Sequence, residues 1–284
     1  MKIAFLHSDK SRERLLADAF LMGCAKHGHQ TLSVALGEGE EAAEWADVVA
    51  MVGVKSNERF HAHRRAGRRV IMLDKGYARH HRPGGRVWEY WRVAIDAHQP
   101  TARMAVLNCP HDRREEMGWE PVPWRLDGPK VIIAGSSGKY HAFHDLAAPT
   151  KFYRGVVTGL RKRTDRAIVY RPKPSWQDAQ PLKRAIYSRP PESLGFLLDS
   201  AWALVTHGSN ACFDAIMTGV PCVILGDAVA KPISSTSLDD IENPRLASEK
   251  VVRWWLANLA YWQWTESEMA SGEAWDFLKD NLHG

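Results

Sequence analysis

The sequence predicts an α/β protein in which two parallel-sheet halves follow one another along the chain. Three observations carry that expectation. Short apolar runs alternate with helical stretches from Lys2 to Leu73, the alternation restarts at Lys130, and between Pro100 and Pro129 it lapses into Pro- and Gly-containing sequence. Strands that alternate with helices run parallel, because each crossover helix brings the chain back to the edge where the last strand began. With 284 residues, 45% hydrophobic and 25% charged, the chain suffices for two domains or one large one. That composition excludes disordered, collagenous and small peptide scaffolds.

The first half opens as a strand (residues 2–6), a helix (14–25) and a second strand (31–36). A short helix (40–45), a buried strand (47–54), an Arg-rich helix (57–66) and a strand (69–73) continue it. A linker is expected at 122–128, flanked by Pro121 and containing Pro123 and Gly128. The second half starts with the apolar strand 130–134, which stops at Gly135-Ser136-Ser137-Gly138. A helix (151–160), a strand (167–170), a helix (193–200), a strand (203–206), a helix (210–217) and a strand (221–225) follow. The stretch 248–282 reads as helical and carries Trp254, Trp255, Trp262, Trp264 and Trp275, a density that points to packing. The expected organisation is a first domain over 1–125, a second over 126–247, and helices over 248–284 that pack back across the two.

Charge is unevenly placed. The chain holds 38 Lys and Arg against 33 Asp and Glu, yet residues 59–92 alone hold ten Lys and Arg against Asp74 and Glu89, a net of +8. The other 250 residues therefore net −3. A segment this basic asks for phosphates, anionic lipid or an acidic polymer. Cys24, Cys109, Cys212 and Cys222 form no CxxC pair and stand near no zinc-type His spacing, so reduced thiols are expected and no metal is. The short apolar start is no signal peptide, and no stretch approaches 18 apolar residues, so a cytoplasmic protein without a membrane span is expected.

In open parallel sheets ligands bind outside the carboxyl ends of the strands, so the strand-to-helix turns are the places to search. The sharpest is His207-Gly208-Ser209-Asn210, between an apolar strand and a helix that contains Asp214 and exits through Gly219-Val220-Pro221. Gly208 would let the backbone approach a ligand, and Ser209 and Asn210 would cap the helix, whose N-terminus suits a diphosphate. An ordinary capped helix after a strand would have the same spacing. A second turn, Gly135-Ser136-Ser137-Gly138-Lys139, offers flexible backbone, two hydroxyls and a cation. A third, Arg171-Pro172-Lys173-Pro174, puts two cations at a strand end. No GxxxxGK[ST] or GxGxxG is present, which disfavours a P-loop ATPase or a dinucleotide dehydrogenase.

The order of these three features over 130–225 resembles nucleotide-sugar glycosyltransferases with two facing Rossmann-like domains, the GT-B architecture. The tail LAYWQWTESEMASGEAW is also similar to small phage-type glycosyltransferases of this kind. The resemblance implies a donor, UDP-glucose as first choice, gripped by Gly135, Ser136, Ser137, Lys139, Arg171, Lys173, His207, Gly208, Ser209 and Asn210. Asp214 falls at the acidic position for ribose, where many such enzymes have Glu. It implies transfer without a catalytic metal or other cofactor, the nucleotide-sugar being a co-substrate. Leaving-group charge would then be met by the helix dipole and by Lys139, Arg171 and Lys173.

An inverting transfer needs a general base on the first domain. Asp74, directly after the apolar strand 69–73 and beside Lys75, is the first choice, and His7 at the end of the first strand is the rival. The basic segment surrounds Asp74, with Arg79, Arg82, Arg86 and Arg92 suited to a polyanionic backbone and Trp88 and Tyr90 to stacking on a base. Sugar transfer to a 5-hydroxymethylpyrimidine in duplex DNA, a phage chemistry, is accordingly the favoured reading. The alternative is a GT-B enzyme of capsule or cell-envelope saccharide synthesis, with the arginines a solvated face. A third reading is a non-catalytic nucleic-acid-binding protein. The sequence sets neither the sugar nor the oligomeric state.

Overall fold

A computed structural model describes residues 1–37, 40–54, 57–78 and 90–282. The chain divides into two units. One comprises Met1–Cys109 with Asn258–Gly284, and the other is Pro110–Ala257. Each holds its own sheet, so the α/β expectation with two parallel-sheet halves is met.

The first unit runs β1 (Lys2–His7), α1 (Ser11–Lys26), β2 (Gln30–Ala35), a 3-10 turn (Glu40–Trp45), β3 (Val48–Val52), α2 (Asn57–Arg65), β4 (Arg69–Lys75), β5 (Tyr90–Ile95) and α3 (Thr101–Met104). The second contains α4 (Asp112–Glu116), β6 (Lys130–Ala134), α5 (Gly138–Phe143), α6 (Pro149–Leu160), β7 (Ala167–Arg171) and β8 (Ile186–Tyr187). It continues with α7 (Leu194–Leu198), β9 (Ala201–Thr206), α8 (Ala211–Met217) and β10 (Cys222–Ile224). Helix α9 (Glu249–Ala260) carries the chain out of the second unit, and β11 (Gln263–Thr265), α10 (Glu266–Ser271) and α11 (Glu273–Asp280) rejoin the first.

In the first unit the strand order is β11-β5-β4-β3-β1-β2, with β2, β1, β3 and β4 parallel and β5 antiparallel to both neighbours. Ile3, Phe5, Val49, Ile71, Leu73 and Val93 are fully buried along these strands. Leu16, Phe20 and Cys24 on α1 close one face. The C-terminal segment packs on that helix at Gly23, where a Cβ would stand 1.9 Å from the Met269 carbonyl oxygen. Phe20 also meets Trp275 edge-on at 6.0 Å. Thr265 and Glu268 form a capping box that starts α10 immediately after β11.

The second unit has a wholly parallel sheet, β10-β9-β6-β7-β8, with Val131, Ile133, Ala203 and Val205 buried at its centre. Helix α6 places Tyr153, Val157 and Leu160 against it. Gly128 admits the neighbouring strand, since a Cβ there would lie 2.2 Å from the Ala201 carbonyl carbon.

The boundaries differ from the expected 125/126 and 247/248 for a physical reason. Residues 110–128 are bound to the second unit. Buried Arg114 donates to Glu120 at 2.6 Å, and Arg253 of α9 reaches the same carboxylate at 2.7 Å. Trp124 Nε1 donates to the Ala247 carbonyl at 2.8 Å, and the Arg125 amide donates to the Gly219 carbonyl at 2.7 Å. The tail, expected to be helical throughout, contains the strand β11. The tryptophans pack as expected: Trp255, Trp262 and Trp275 are among the largest fully buried side chains. Among the described residues no helix is long and apolar enough to cross a membrane.

Candidate functional site

The register of the second sheet brings the expected donor turns to one edge. Ala134 at the end of β6 pairs with Arg171 on one side and Thr206 on the other. Gly135-Ser136-Ser137, Arg171-Pro172-Lys173 and His207-Gly208-Ser209 therefore leave the carboxyl end of the sheet side by side, where ligands bind in such folds.

Several of these residues serve protein neighbours. The Gly135 amide donates to the Arg171 carbonyl at 2.8 Å, and a Cβ on Gly135 would approach the Tyr170 ring to 2.9 Å. The Ser136 amide donates to the Tyr153 hydroxyl at 2.8 Å, inside the protein. Gly208, expected to make room for a ligand, makes room for Tyr140 instead, since a Cβ there would stand 1.8 Å from the Tyr140 hydroxyl oxygen. Thr206 Oγ1 donates to the Ala134 carbonyl at 2.9 Å and accepts from the Ser209 amide at 3.1 Å, which sets the turn. Ser209 Oγ accepts from the Ala211 amide at 3.3 Å, whereas Asn210, at the N-cap of the seven-residue α8, makes no side-chain capping bond. Asp214 lies half-buried in the first turn of that helix. Ser137 is half-buried ahead of α5, and Lys139 and Lys173 are exposed.

Arg171 is the electrostatic centre of this edge. It is 9% exposed and its guanidinium donates to a neutral partner, Ser188 Oγ, at 3.0 Å. Among the described residues it makes no ion pair. Burial lowers its pKa and the more distant Glu192 raises it, but a guanidinium remains charged. A buried charge without a counter-charge is costly, and an anionic ligand would supply one.

Beside it lies a cluster that the sequence reading missed. Tyr140 Oη is 2.9 Å from His207 Nδ1. His144 stacks obliquely on Tyr140 with ring centroids 4.4 Å apart, and Phe152 meets His207 edge-on at 5.6 Å. Burial, with the charges of His141 and Lys231 added, pushes the His207 pKa down to about 4. The ring is therefore neutral at physiological pH. The available signal was Tyr140-His141-x-x-His144 directly after a Gly-Ser turn.

On the first unit, His7 ends β1, and Asp74, expected just after its strand, is the penultimate residue of β4. His7 is buried, with Nδ1 3.0 Å from the Ser8 carbonyl oxygen. Asp74 is cross-strand partner to Arg92, whose Nη2 lies 3.3 Å from Asp74 Oδ2 and 2.5 Å from His98 Nε2. Burial pushes the Asp74 pKa up. His98, Arg92 and the Lys75 amide outweigh that effect and hold the carboxyl well below the usual carboxylate range. Arg92, rather than the expected Lys75 side chain, is its main cation. A carboxylate so stabilised is a poor proton acceptor. A carboxylate absent from the sequence reading, Glu13, is buried near His7 and accepts from the Ser8 amide at 3.0 Å and the Ser8 hydroxyl at 2.6 Å.

Part of the described basic segment is taken up by the protein itself, while Arg65 and Lys75 are exposed. Arg92 is 2% exposed and Tyr90 7%, both within the sheet, where neither meets a polymer backbone or a base. Arg64 and Arg69 pair with Asp96 at 2.9 and 2.7 Å. Arg79, Arg82, Arg86 and Trp88 lie outside the described residues. Among the described residues no group of three or more His, Cys, Asp or Glu is placed to hold a metal ion.

No family model and no curated protein matches the sequence. Solved structures do match the fold. The β-Kdo 2,7 transferase of KpsC from Thermosulfurimonas dismutans superposes with a TM-score of 0.56 at 13% identity, covering 96% of this chain and 99% of its own. The β-Kdo 2,4 transferase of KpsC from the same organism gives 0.53 at 12% identity, covering 91% and 90%. The chain thus has the fold of GT-B glycosyltransferases, an α/β protein of two parallel-sheet, Rossmann-like domains.

Proposed function

We propose that the protein is a glycosyltransferase that takes a sugar from a nucleotide-linked donor, held at the carboxyl edge of the second sheet, and passes it to a saccharide acceptor. The observation that carries this reading is Arg171, a nearly buried guanidinium with no ion-pair partner among the described residues, at the edge where the fold binds ligands. A diphosphate or phosphate leaving group would neutralise it. The same charge would favour departure of that group in the transition state, with Lys139 and Lys173 adding positive potential. Ser137 and Ser209 supply hydroxyls on the two flanking turns.

A saccharide acceptor is preferred to DNA on two grounds. Two similar solved structures are named as Kdo transferases, which favours the capsule and cell-envelope class. The DNA reading loses part of its support, because Arg64, Arg69 and Arg92 face Asp96 and Asp74, which leaves it Arg79, Arg82, Arg86 and Trp88 with the exposed Arg65 and the half-buried Arg59 and Arg68. Asp74 and His7 remain the proposed acceptor-side base candidates, and the low basicity of Asp74 shifts the preference toward His7.

The deciding experiment incubates the full chain with UDP-, GDP-, dTDP- and CMP-linked sugars and either cell-envelope saccharides or DNA containing 5-hydroxymethylcytosine, followed by mass spectrometry. A sugar added to saccharide is the expected result. Sugar added only to DNA would reverse the acceptor assignment, and no transfer together with no nucleotide binding would overturn the reading.

A further inference from the structure

The pairing of Tyr140 with His207 joins two of the turns at the carboxyl edge of the second sheet. Tyr140 stands on α5, which begins at Gly138 immediately after the β6 turn, and His207 opens the turn after β9. Their side chains meet at 2.9 Å across 67 residues of sequence.

The surroundings are shaped to hold this pair. Gly208 leaves the space that the Tyr140 hydroxyl fills, as a Cβ there would stand 1.8 Å from it. Gly226 does the same for the imidazole, since its Cβ would stand 2.1 Å from His207 Cε1 and 2.3 Å from Nε2. Phe152 and His144 flank the ring, with centroids 5.6 and 5.8 Å away. A histidine gripped on its face and at Nδ1 has one functional atom left. Among the described residues Nε2 has no hydrogen-bond partner, and it is not among the buried polar atoms that lack one, so it opens to solvent.

A neutral imidazole carries a single N–H, and the bond at one nitrogen decides where that proton sits. If the tyrosine hydroxyl donates to Nδ1, the proton is on Nε2 and the open atom is a donor. In the opposite tautomer the open atom is a lone pair, which would repel an anion. Burial keeps the ring neutral, so the choice is between these two forms.

We propose that Tyr140 is a positioning residue that fixes the Nε2–H tautomer of His207, and that this N–H donates to a phosphate oxygen of the nucleotide donor. The assignment rests on the reading of this edge as a nucleotide-sugar site and deepens it. His207 binds as an uncharged directional donor, while Arg171 supplies the charge. Together they would grip an anion from the turns after β7 and β9.

The test uses the full chain labelled with nitrogen-15, with UDP, GDP, dTDP and CMP as probes. Long-range imidazole correlations should show His207 with its proton on Nε2, and Tyr140→Phe should convert it to a mixture of tautomers. Tyr140→Phe should weaken binding of the nucleotide that the unmodified protein prefers by about fivefold to tenfold, and His207→Leu by about thirtyfold. His207→Gln, which keeps an N–H near the Nε2 position, should stay within about threefold. Thermal unfolding of each variant identifies any that fails to fold, and the tautomer assignment needs only the unmodified chain. A proton on Nδ1 in the unmodified protein, or unchanged affinity in folded His207→Leu, overturns the inference and leaves the glycosyltransferase reading standing. Failure of the unmodified protein to bind any of the four nucleotides overturns the inference and counts against the nucleotide-sugar site itself.

Discussion

Asp74 and Arg92 face each other across the antiparallel pair β4 and β5, carboxylate to guanidinium at 3.3 Å, with the arginine 2% exposed. The aspartate is therefore the counter-charge of a buried cation. Asp74→Asn should cost about 3 kcal/mol of stability, because buried Arg92 would keep its charge and lose the Asp74 carboxylate. Chemical denaturation measures this, and a loss of activity with no loss of stability would restore Asp74 as a catalytic base. The pH dependence has a defined sign. The folded-state pKa of Asp74 lies below its ordinary 3.8, so its contribution is complete above that value and fades as acid is added below it.

Arg171 predicts the opposite signature. Arg171→Gln removes a buried charge that has no ion-pair partner among the described residues, so the unliganded protein should be as stable as before or more so. Affinity for UDP or CMP should fall by about tenfold to a hundredfold. Differential scanning calorimetry beside a nucleotide titration separates the two effects. A variant that unfolds early and binds normally would make Arg171 a structural residue.

His207 should leave a mark on acid stability. Its pKa falls from an ordinary 6.5 to about 4 on folding, so between those values the unfolded chain takes up a proton that the folded chain refuses. Stability is unaffected above that window and is lost as pH falls through it, by on the order of 2 kcal/mol after allowance for partial exposure. His141, also depressed by burial, acts in the same direction. Urea unfolding at pH 7 and pH 4.5 should show a smaller drop for His207→Gln than for the unmodified protein. An equal drop would mean that His207 titrates normally.

Two glycines on helices make a matched pair. Gly23→Ala would drive a methyl group to within 1.9 Å of the Met269 carbonyl oxygen, forcing α1 and α10 apart at a cost of about 3 kcal/mol. Gly155→Ala, on α6, meets nothing within 4 Å and should stabilise by roughly 0.5 to 1 kcal/mol through helix propensity. Melting temperatures that move the same way for both would show that packing at Gly23 is looser than described.

The strands most legible in the sequence are those that local chemistry determines. β1, β3, β4, β6, β7 and β9 are short apolar runs, since a parallel strand buried on both faces needs hydrophobic residues at nearly every position. β5 was hidden because Arg92 interrupts its apolar run, and partners distant in sequence, Asp74 across the strand pair among them, make that arginine acceptable there. β11, Gln263–Thr265, is three residues long and has no strand signal of its own; it exists because β5 offers an edge. At the candidate site, the turns at Gly135, Arg171 and His207 were readable from their place at strand ends. The contact between Tyr140 and His207 was not, as it depends on β6 and β9 being neighbours. The fate of the arginines was equally remote, decided by Asp96, a non-glycine residue at φ 60° that gathers Arg64 and Arg69.

The return of the chain through α9 has a consequence for biosynthesis. Pro110–Ala257 is continuous, whereas the first unit needs Asn258–Gly284 to be complete. A nascent chain emerging from its amino end has every strand of the second sheet before it has the last strand of the first. Until Gln263–Thr265 arrives, β5 has an unpaired edge and Gly23 faces no Met269, a state open to association with other chains. The part made first is thus the part finished last, and a truncation after residue 257 should leave a folded second unit attached to an aggregation-prone first one.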